Sequence, residues 1–327
     1  MTAFHPELRA ARFIPNFSFT FSPPVVSVMR TLYRWTRPPP PPADFTIEDL
    51  TIPGPQGAPA VRVRLYRPNS LGRPVPALLW IHGGGFLIGR PEQDERSSIA
   101  YARELGILVV AVDYRLGPAS PYPAPLEDCY AALRWLHAQA AQLGVDPDRI
   151  AIGGASAGGG LTAGLALLAH DRGEVKPVFQ LLIYPMLDDR TTLRTDIDGR
   201  NHRVWNARCN VYGWRAYLAA DPGGAGVSPY AAPARREDLT GLPPAWLGVG
   251  TIDLFHDEDL AYAKRLSDSG VPCEVQVVPG AFHAFDLLFV KTDVVRSFWQ
   301  SHVAALRHAL FPGQDQDGSL SEPLVSV

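Results

Sequence analysis

Five stretches of this sequence are apolar almost without interruption: Pro76–Ile81, Ile107–Val112, Ile150–Ile152, Val178–Tyr184 and Ala245–Val249. A strand with one face in water alternates polar and apolar residues, so an unbroken run marks a strand covered on both faces. Helical patterns lie between the runs. Leu126, Tyr130, Leu133, Leu136 and Leu143 fall near one face of a helix, as do Leu260, Ala263 and Leu266 ahead of Gly270. The last pattern carries Val294, Val295, Phe298, Val303, Leu306 and Leu310. Strands alternating with helices predict an α/β fold with a doubly wound, mostly parallel sheet. Glu274–Val278 is a weaker strand candidate. Val61, Val63 and Leu65 alternate with Arg62, Arg64 and Tyr66, which predicts a half-buried antiparallel strand.

The flanks do not follow this alternation. Residues 1–45 read as irregular and aromatic, with Phe13, Phe17, Phe19, Phe21 and Trp35 ahead of the proline run Pro38–Pro42. Proline fixes φ and lacks an N–H donor, so the run predicts a stiff spacer; an SH3-type ligand is the alternative. The stretch from Asp188 to Pro229 is polar and arginine-rich, then aromatic around Tyr212, Trp214 and Tyr217, and predicts an insertion above the sheet. Beyond Phe311 the chain is polar and aperiodic, which predicts a disordered tail over 313–327.

At 327 residues the chain suits one large domain with a modest appendage. A formal charge of −3 with scattered basic residues argues against a nucleic-acid partner. Cys129, Cys209 and Cys273 are few, odd in number and far apart, which predicts small apolar packing in a reducing, cytoplasmic setting, with Cys209 a candidate for a partly exposed thiol. They lack zinc-site spacing. No signal-peptide pattern opens the chain, and no stretch of about 18 apolar residues predicts an integral membrane segment.

Gly154-Ala155-Ser156-Ala157-Gly158 follows the run Ile150–Ile152 and precedes a helical stretch from Leu161 to Ala169. In that context G-x-S-x-G forms a nucleophile elbow, a turn too sharp for side chains two places either side of the serine. The helix after Ser156 directs its N-terminal dipole at a developing anion. A phosphate-binding loop is the competing reading, but the Gly-Lys-Ser/Thr ending and a G-x-G-x-x-G fingerprint are both missing. His82-Gly83-Gly84-Gly85-Phe86 ends the first apolar run, and its glycines let backbone N–H groups approach a substrate oxygen. An oxyanion hole also needs the amide after the nucleophile, which Ala157 supplies. His82 precedes the nucleophile and is expected to orient its loop.

A base in this chain order must follow the serine. His283 sits in Pro279-Gly280-Ala281-Phe282-His283-Ala284-Phe285, just after the last strand candidate, where a sheet edge would present it. Asp253 lies nearest the end of the run Ala245–Val249 and is the expected orienting acid. Asp257, Glu258 and Asp259 are expected to cap and charge the following helix.

Taken together, His82–Phe86, Gly154–Gly159, Tyr114-Arg115-Leu116-Gly117-Pro118, Asp253–Glu258 and His283–Phe285 resemble the motifs of the bacterial hormone-sensitive-lipase-like esterases, family IV of the lipolytic enzymes, within the α/β-hydrolase superfamily. The resemblance spans about Phe45 to Pro312. It departs at Ala155, where the family commonly has aspartate, and at Gly117 and Ala119. It implies catalytic Ser156, His283 and Asp253 and oxyanion donors Gly84, Gly85 and Ala157. It also implies a cap built from 1–45 and 188–229 over a catalytic domain of 46–187 and 230–312. The implied substrates are small-molecule esters of short to medium acyl chains, cleaved through an acyl-enzyme without metal or organic cofactor. A homodimer is left open. Plant gibberellin receptors resemble the same family but lack the catalytic histidine, so His283 favours an enzyme. A peptidase or amidase stays open, and the lack of a long apolar lid argues against a true lipase.

Overall fold

A computed structural model of the chain describes residues 3–16, 23–35 and 40–313. Eight strands form one sheet: β1 (Phe45–Ile52), β2 (Val61–Pro68), β3 (Val75–Ile81), β4 (Leu108–Asp113), β5 (Val145–Ala155), β6 (Gln180–Ile183), β7 (Ala245–Gly250) and β8 (Cys273–Val278). Their order is β1-β2-β4-β3-β5-β6-β7-β8. The first two pairings are antiparallel and the rest parallel. β3 and β7 are buried along their whole length, as their unbroken apolar runs require. β8 closes one edge, where Val275 and Val277 stay exposed.

The helices are α1 (Pro23–Trp35), α2 (Glu95–Leu105), α3 (Ala124–Ala138), α4 (Ala140–Leu143), α5 (Ala157–Arg172), α6 (Ala207–Leu218), α7 (His256–Asp268), α8 (Phe285–Leu288) and α9 (Asp293–Leu310). α5, which follows Ser156, packs on α3, and α9 lies against β7 and β8. The doubly wound parallel architecture follows the sequence pattern. α6 carries Tyr212, Trp214 and Tyr217 within 188–229, where the aromatic helical piece was expected. No helix among the described residues is long and apolar enough to cross a membrane.

Four expectations change. β2 is more deeply buried than a half-exposed strand, because α2 covers its polar face. There Arg64 pairs with Glu95 of α2 at 2.9 Å and with Asp49 of β1 at 2.7 Å, and the Tyr66 hydroxyl donates to the Pro91 carbonyl. The described part of 1–45 is largely helical: a 3₁₀ segment over Pro6–Phe13 precedes α1. Phe4, Leu8 and Ala11 are buried in the main core, with Phe4 edge-on to Phe282. The predicted helix through Leu143 breaks at Gln139, leaving Leu143 in α4. Cys209 is buried, while Cys273 is the half-buried thiol; none of the three is in a disulfide. Phe17, Phe19 and Phe21, Pro38 and Pro39 of the proline run and the tail from 314 lie outside the described residues.

Candidate active site

β5 ends at Ala155 and α5 begins at Ala157, so Ser156 alone makes the turn. Its φ of 57° and ψ of −122° lie where L-residues rarely sit. Three backbone hydrogen bonds hold it there: the Ser156 amide donates to the Ile183 carbonyl at 2.9 Å, and its carbonyl accepts from Gly160 and Met186, each at 3.0 Å. A side chain on Gly154 would overlap the Gly158 carbonyl, and one on Gly158 would overlap the Ile81 carbonyl at the end of β3. The glycines flanking the serine are required by close backbone approach.

His283 Nε2 lies 2.9 Å from Ser156 Oγ, and its Nδ1 lies 2.9 Å from Asp253 Oδ2. An ionised carboxylate can only accept, so Nδ1 carries the proton and Nε2 is left to accept from the serine hydroxyl. All three side chains are buried. Two loops 30 residues apart meet here because they are tied together. Thr251 and Ile252 donate to the carbonyls of Val278 and Ala281, and the Gly280 amide donates to Thr251 Oγ1 at 2.8 Å. The rings of Tyr184 and Phe255 stand edge-on to the imidazole at 4.8 and 5.2 Å between centroids. His256 points elsewhere, to Asp257.

Gly84, Gly85 and Phe86 have φ of 122°, 61° and 63°, so the loop after β3 turns back through three consecutive left-handed residues. A side chain on Gly85 would enter the Trp205 ring. His82 serves the loop as expected: its Nδ1 donates to the Gly83 carbonyl at 2.8 Å and its ring stacks on Tyr114 at 4.2 Å. Burial lowers its pKa, which keeps the imidazole neutral. The Tyr114 hydroxyl donates to the His82 carbonyl at 2.7 Å, while Arg115 grips buried Asp128 at 2.7 Å. Gly117 donates to the Phe86 carbonyl at 2.9 Å, and a side chain there would overlap the Ala216 carbonyl in α6. The departure from the family pattern at Gly117 therefore matches a close approach between this loop and α6.

Gly84, Gly85, Ser156 and His283 line one cavity of about 350 Å³. Asp253 stands behind His283, and Ala157 is fully buried at the start of α5. The three acids beyond Asp253 do not act as helix caps. Asp257 bonds His256 and Arg194 at the surface. Glu258 is buried and braces the loop after β6: its Oε1 accepts the amides of Leu187 and Asp188 at 2.8 and 3.0 Å, and its Oε2 meets the Thr191 hydroxyl. Desolvation pushes the Glu258 carboxyl up to about 8. Asp259 is fully buried, and burial raises its pKa as well. With Ala155 beside Ser156, Glu258, Tyr114 and Gln93 brace the surrounding loops. Sequence reasoning missed the walls of the cavity, namely Trp80, Trp205, Tyr184, Asp94 and Asp286. Trp80, two residues before His82, and Asp286, three residues after His283, stood near recognised motifs.

A family described by the α/β-hydrolase fold matches residues 78–287, which hold Ser156, Asp253, His283 and the glycine loop after β3. The chain belongs to the α/β-hydrolase family, as one of its esterases. This hydrolase is 34% identical over 291 residues to carboxylesterase NlhH of Mycobacterium tuberculosis, covering 87% of this chain and 90% of the relative. It is 32% identical to an ethyl acetate hydrolase of Pseudomonas putida over 242 residues, 73% of this chain and 75% of the relative. Among solved structures, a bacterial heroin esterase superposes with a TM-score of 0.84 at 38% identity, covering 94% of this chain and 98% of the other. Esterase LipW of Mycobacterium marinum gives 0.81 at 33%, over 95% and 97%. The hydrolase therefore sits in the hormone-sensitive-lipase-like branch, as its motifs implied.

Proposed function

We propose that this protein is a serine carboxylesterase that cleaves short- to medium-chain acyl esters through Ser156, His283 and Asp253. The observation that carries the proposal is the hydrogen-bonded line from Ser156 Oγ through His283 to Asp253, opening on a cavity bordered by the glycine loop. His283 Nε2 takes the Ser156 proton as Oγ attacks the ester carbonyl. The carbonyl oxygen becomes an oxyanion held by the amides of Gly84, Gly85 and Ala157, the last at the positive end of α5. His283 then protonates the departing alcohol. Water repeats the sequence, forming the acid and restoring Ser156. Asp253 stays ionised, fixes the imidazole tautomer and stabilises the imidazolium.

A cavity of about 350 Å³ suits a small ester. Residues 1–45 and 188–229 form the cap in this reading. Its support is that the Asn206 amide donates to Asn16 at 3.0 Å, Arg203 donates to the Ala11 carbonyl at 3.0 Å, and Trp205 lines the cavity. Unpaired cysteines fit a cytoplasmic location. A series of p-nitrophenyl esters of graded chain length tests the proposal: kcat/KM should peak between acetate and about the octanoate. A maximum at long-chain emulsified esters, or amide cleavage at comparable kcat/KM, would replace this reading with a lipase or an amidase.

A further inference from the structure

The ester chemistry above needs no carboxylate in the substrate cavity beyond the one behind His283, yet two more line it, Asp94 and Asp286. Asp94 closes the 3₁₀ turn Pro91–Asp94, is buried, and accepts from Trp80 Nε1 at 2.8 Å. Asp286 lies in α8 and accepts from the Tyr184 hydroxyl at 2.8 Å. Among the described residues no lysine or arginine lines this cavity. His302, also on its wall, supplies no charge, since burial lowers it to about 3. Burial and the neighbouring Asp286 push the Asp94 carboxyl up to about 6, and burial raises Asp286 too. Apart from His283, which attracts Asp286, neither carboxylate meets a countercharge among the described residues lining this space.

The other walls include the aromatic residues Trp80, Tyr101, Tyr184, Trp205 and Trp299, beside aliphatic Ile88, Ile183, Val204 and Leu287. Aromatic faces attract cations, best in desolvated sites, and an organic cation presents both charge and apolar surface to such walls. A bare metal ion fits badly: among the described residues no group of three or more His, Cys, Asp or Glu could hold one. From the shared cavity of Ser156, Asp94 and Asp286, we propose that this esterase selects esters bearing a substituted ammonium group, which the two carboxylates and the aromatic walls bind while Ser156 attacks the ester. The inference rests on the hydrolytic reading above and names its substrate class.

The test compares acetylcholine with its uncharged carbon isostere, 3,3-dimethylbutyl acetate, which shares shape and scissile bond. The wild-type protein should show kcat/KM at least about tenfold higher for the cationic ester, and Asp286→Asn and Asp94→Asn should each lower that ratio several-fold. Asparagine retains an acceptor for Tyr184 or Trp80, so folding is expected to survive, and the ratio cancels any general loss of turnover. Should Asp94→Asn not fold, Asp286→Asn decides alone. Equal or lower kcat/KM for acetylcholine in the wild type, or a ratio unmoved by both variants, overturns the inference while leaving the esterase reading standing. If neither ester were hydrolysed, the esterase reading would be in question. Calorimetric titration with tetramethylammonium would then decide the inference: binding weakened by Asp286→Asn supports it, and no binding overturns it.

Discussion

Asp253 gives one carboxylate oxygen to His283 Nδ1 at 2.9 Å and the other to the Phe255 amide at 3.0 Å. Both partners are donors, so both oxygens must accept. Asparagine at 253 has one acceptor and one donor, and its NH₂ must face either the amide or the ring. Facing the ring, it forces the tautomer in which Nε2 carries the proton and cannot receive one from Ser156. Asp253→Asn should therefore lower kcat by as much as about 10⁴-fold. Asp257→Asn, at an exposed ion pair with Arg194, should leave kcat unchanged and shift stability by about 0.5 kcal/mol or less. Steady-state kinetics on one ester checks both, and the reverse ranking would move the acid to Asp257.

Gly85→Ala should cost activity rather than fold. The new methyl meets the Trp205 ring and a backbone φ of 61°, so the loop must shift its amides away from the oxyanion position. Loss of one such donor lowers kcat by roughly 10²–10³-fold. Unchanged kcat with unchanged KM would remove Gly85 from the proposed oxyanion hole.

Glu258 links stability to pH. Its folded-state carboxyl lies at about 8 against an ordinary 4.5, so between those values the folded protein keeps a proton that the unfolded chain has lost. Its contribution is full below about 4.5 and declines as pH rises to about 8, by at most about 1.4 kcal/mol per pH unit. Glu258→Gln keeps an oxygen for Leu187 and Asp188 and removes the titration. Its Tm should fall less between pH 5 and 8 than that of the wild type, about pH 5 and 8 being the ends of the window set by the two values. Parallel Tm profiles would contradict the assignment.

The first segment is joined to the site through packing. Leu8 is fully buried, and the His5 amide donates to the Gly280 carbonyl in the His283 loop at 3.0 Å. Leu8→Ala should destabilise the protein by about 2–5 kcal/mol in denaturant unfolding. A change below about 0.5 kcal/mol would mean that the segment is not docked as described.

Legibility in the sequence followed the range of the interactions. Parallel strands such as β3 and β7 were readable because burial on both faces leaves an unbroken apolar run in the local sequence. Ser156, Asp253 and His283 stood out through their order and their nearness to strand ends. β1 was not read, because Phe45–Ile52 includes Glu48 and Asp49, and Asp49 finds Arg62 and Arg64 across the strand pair. Glu258 looked like a capping residue because its true partners, Leu187, Asp188 and Thr191, lie about 70 residues away. The cavity walls share this difficulty: Trp80, Trp205 and Asp286 come from distant segments, and only the fold brings them together.

The central claim is that Ser156 is the nucleophile, and an organophosphate tests it most directly. Paraoxon should add one diethylphosphoryl group per chain, seen by intact mass, with activity lost in proportion. Peptide mapping should place the adduct on Ser156, and Ser156→Ala should neither label nor turn over esters. An adduct on another residue, or wild-type turnover by Ser156→Ala, would contradict the account.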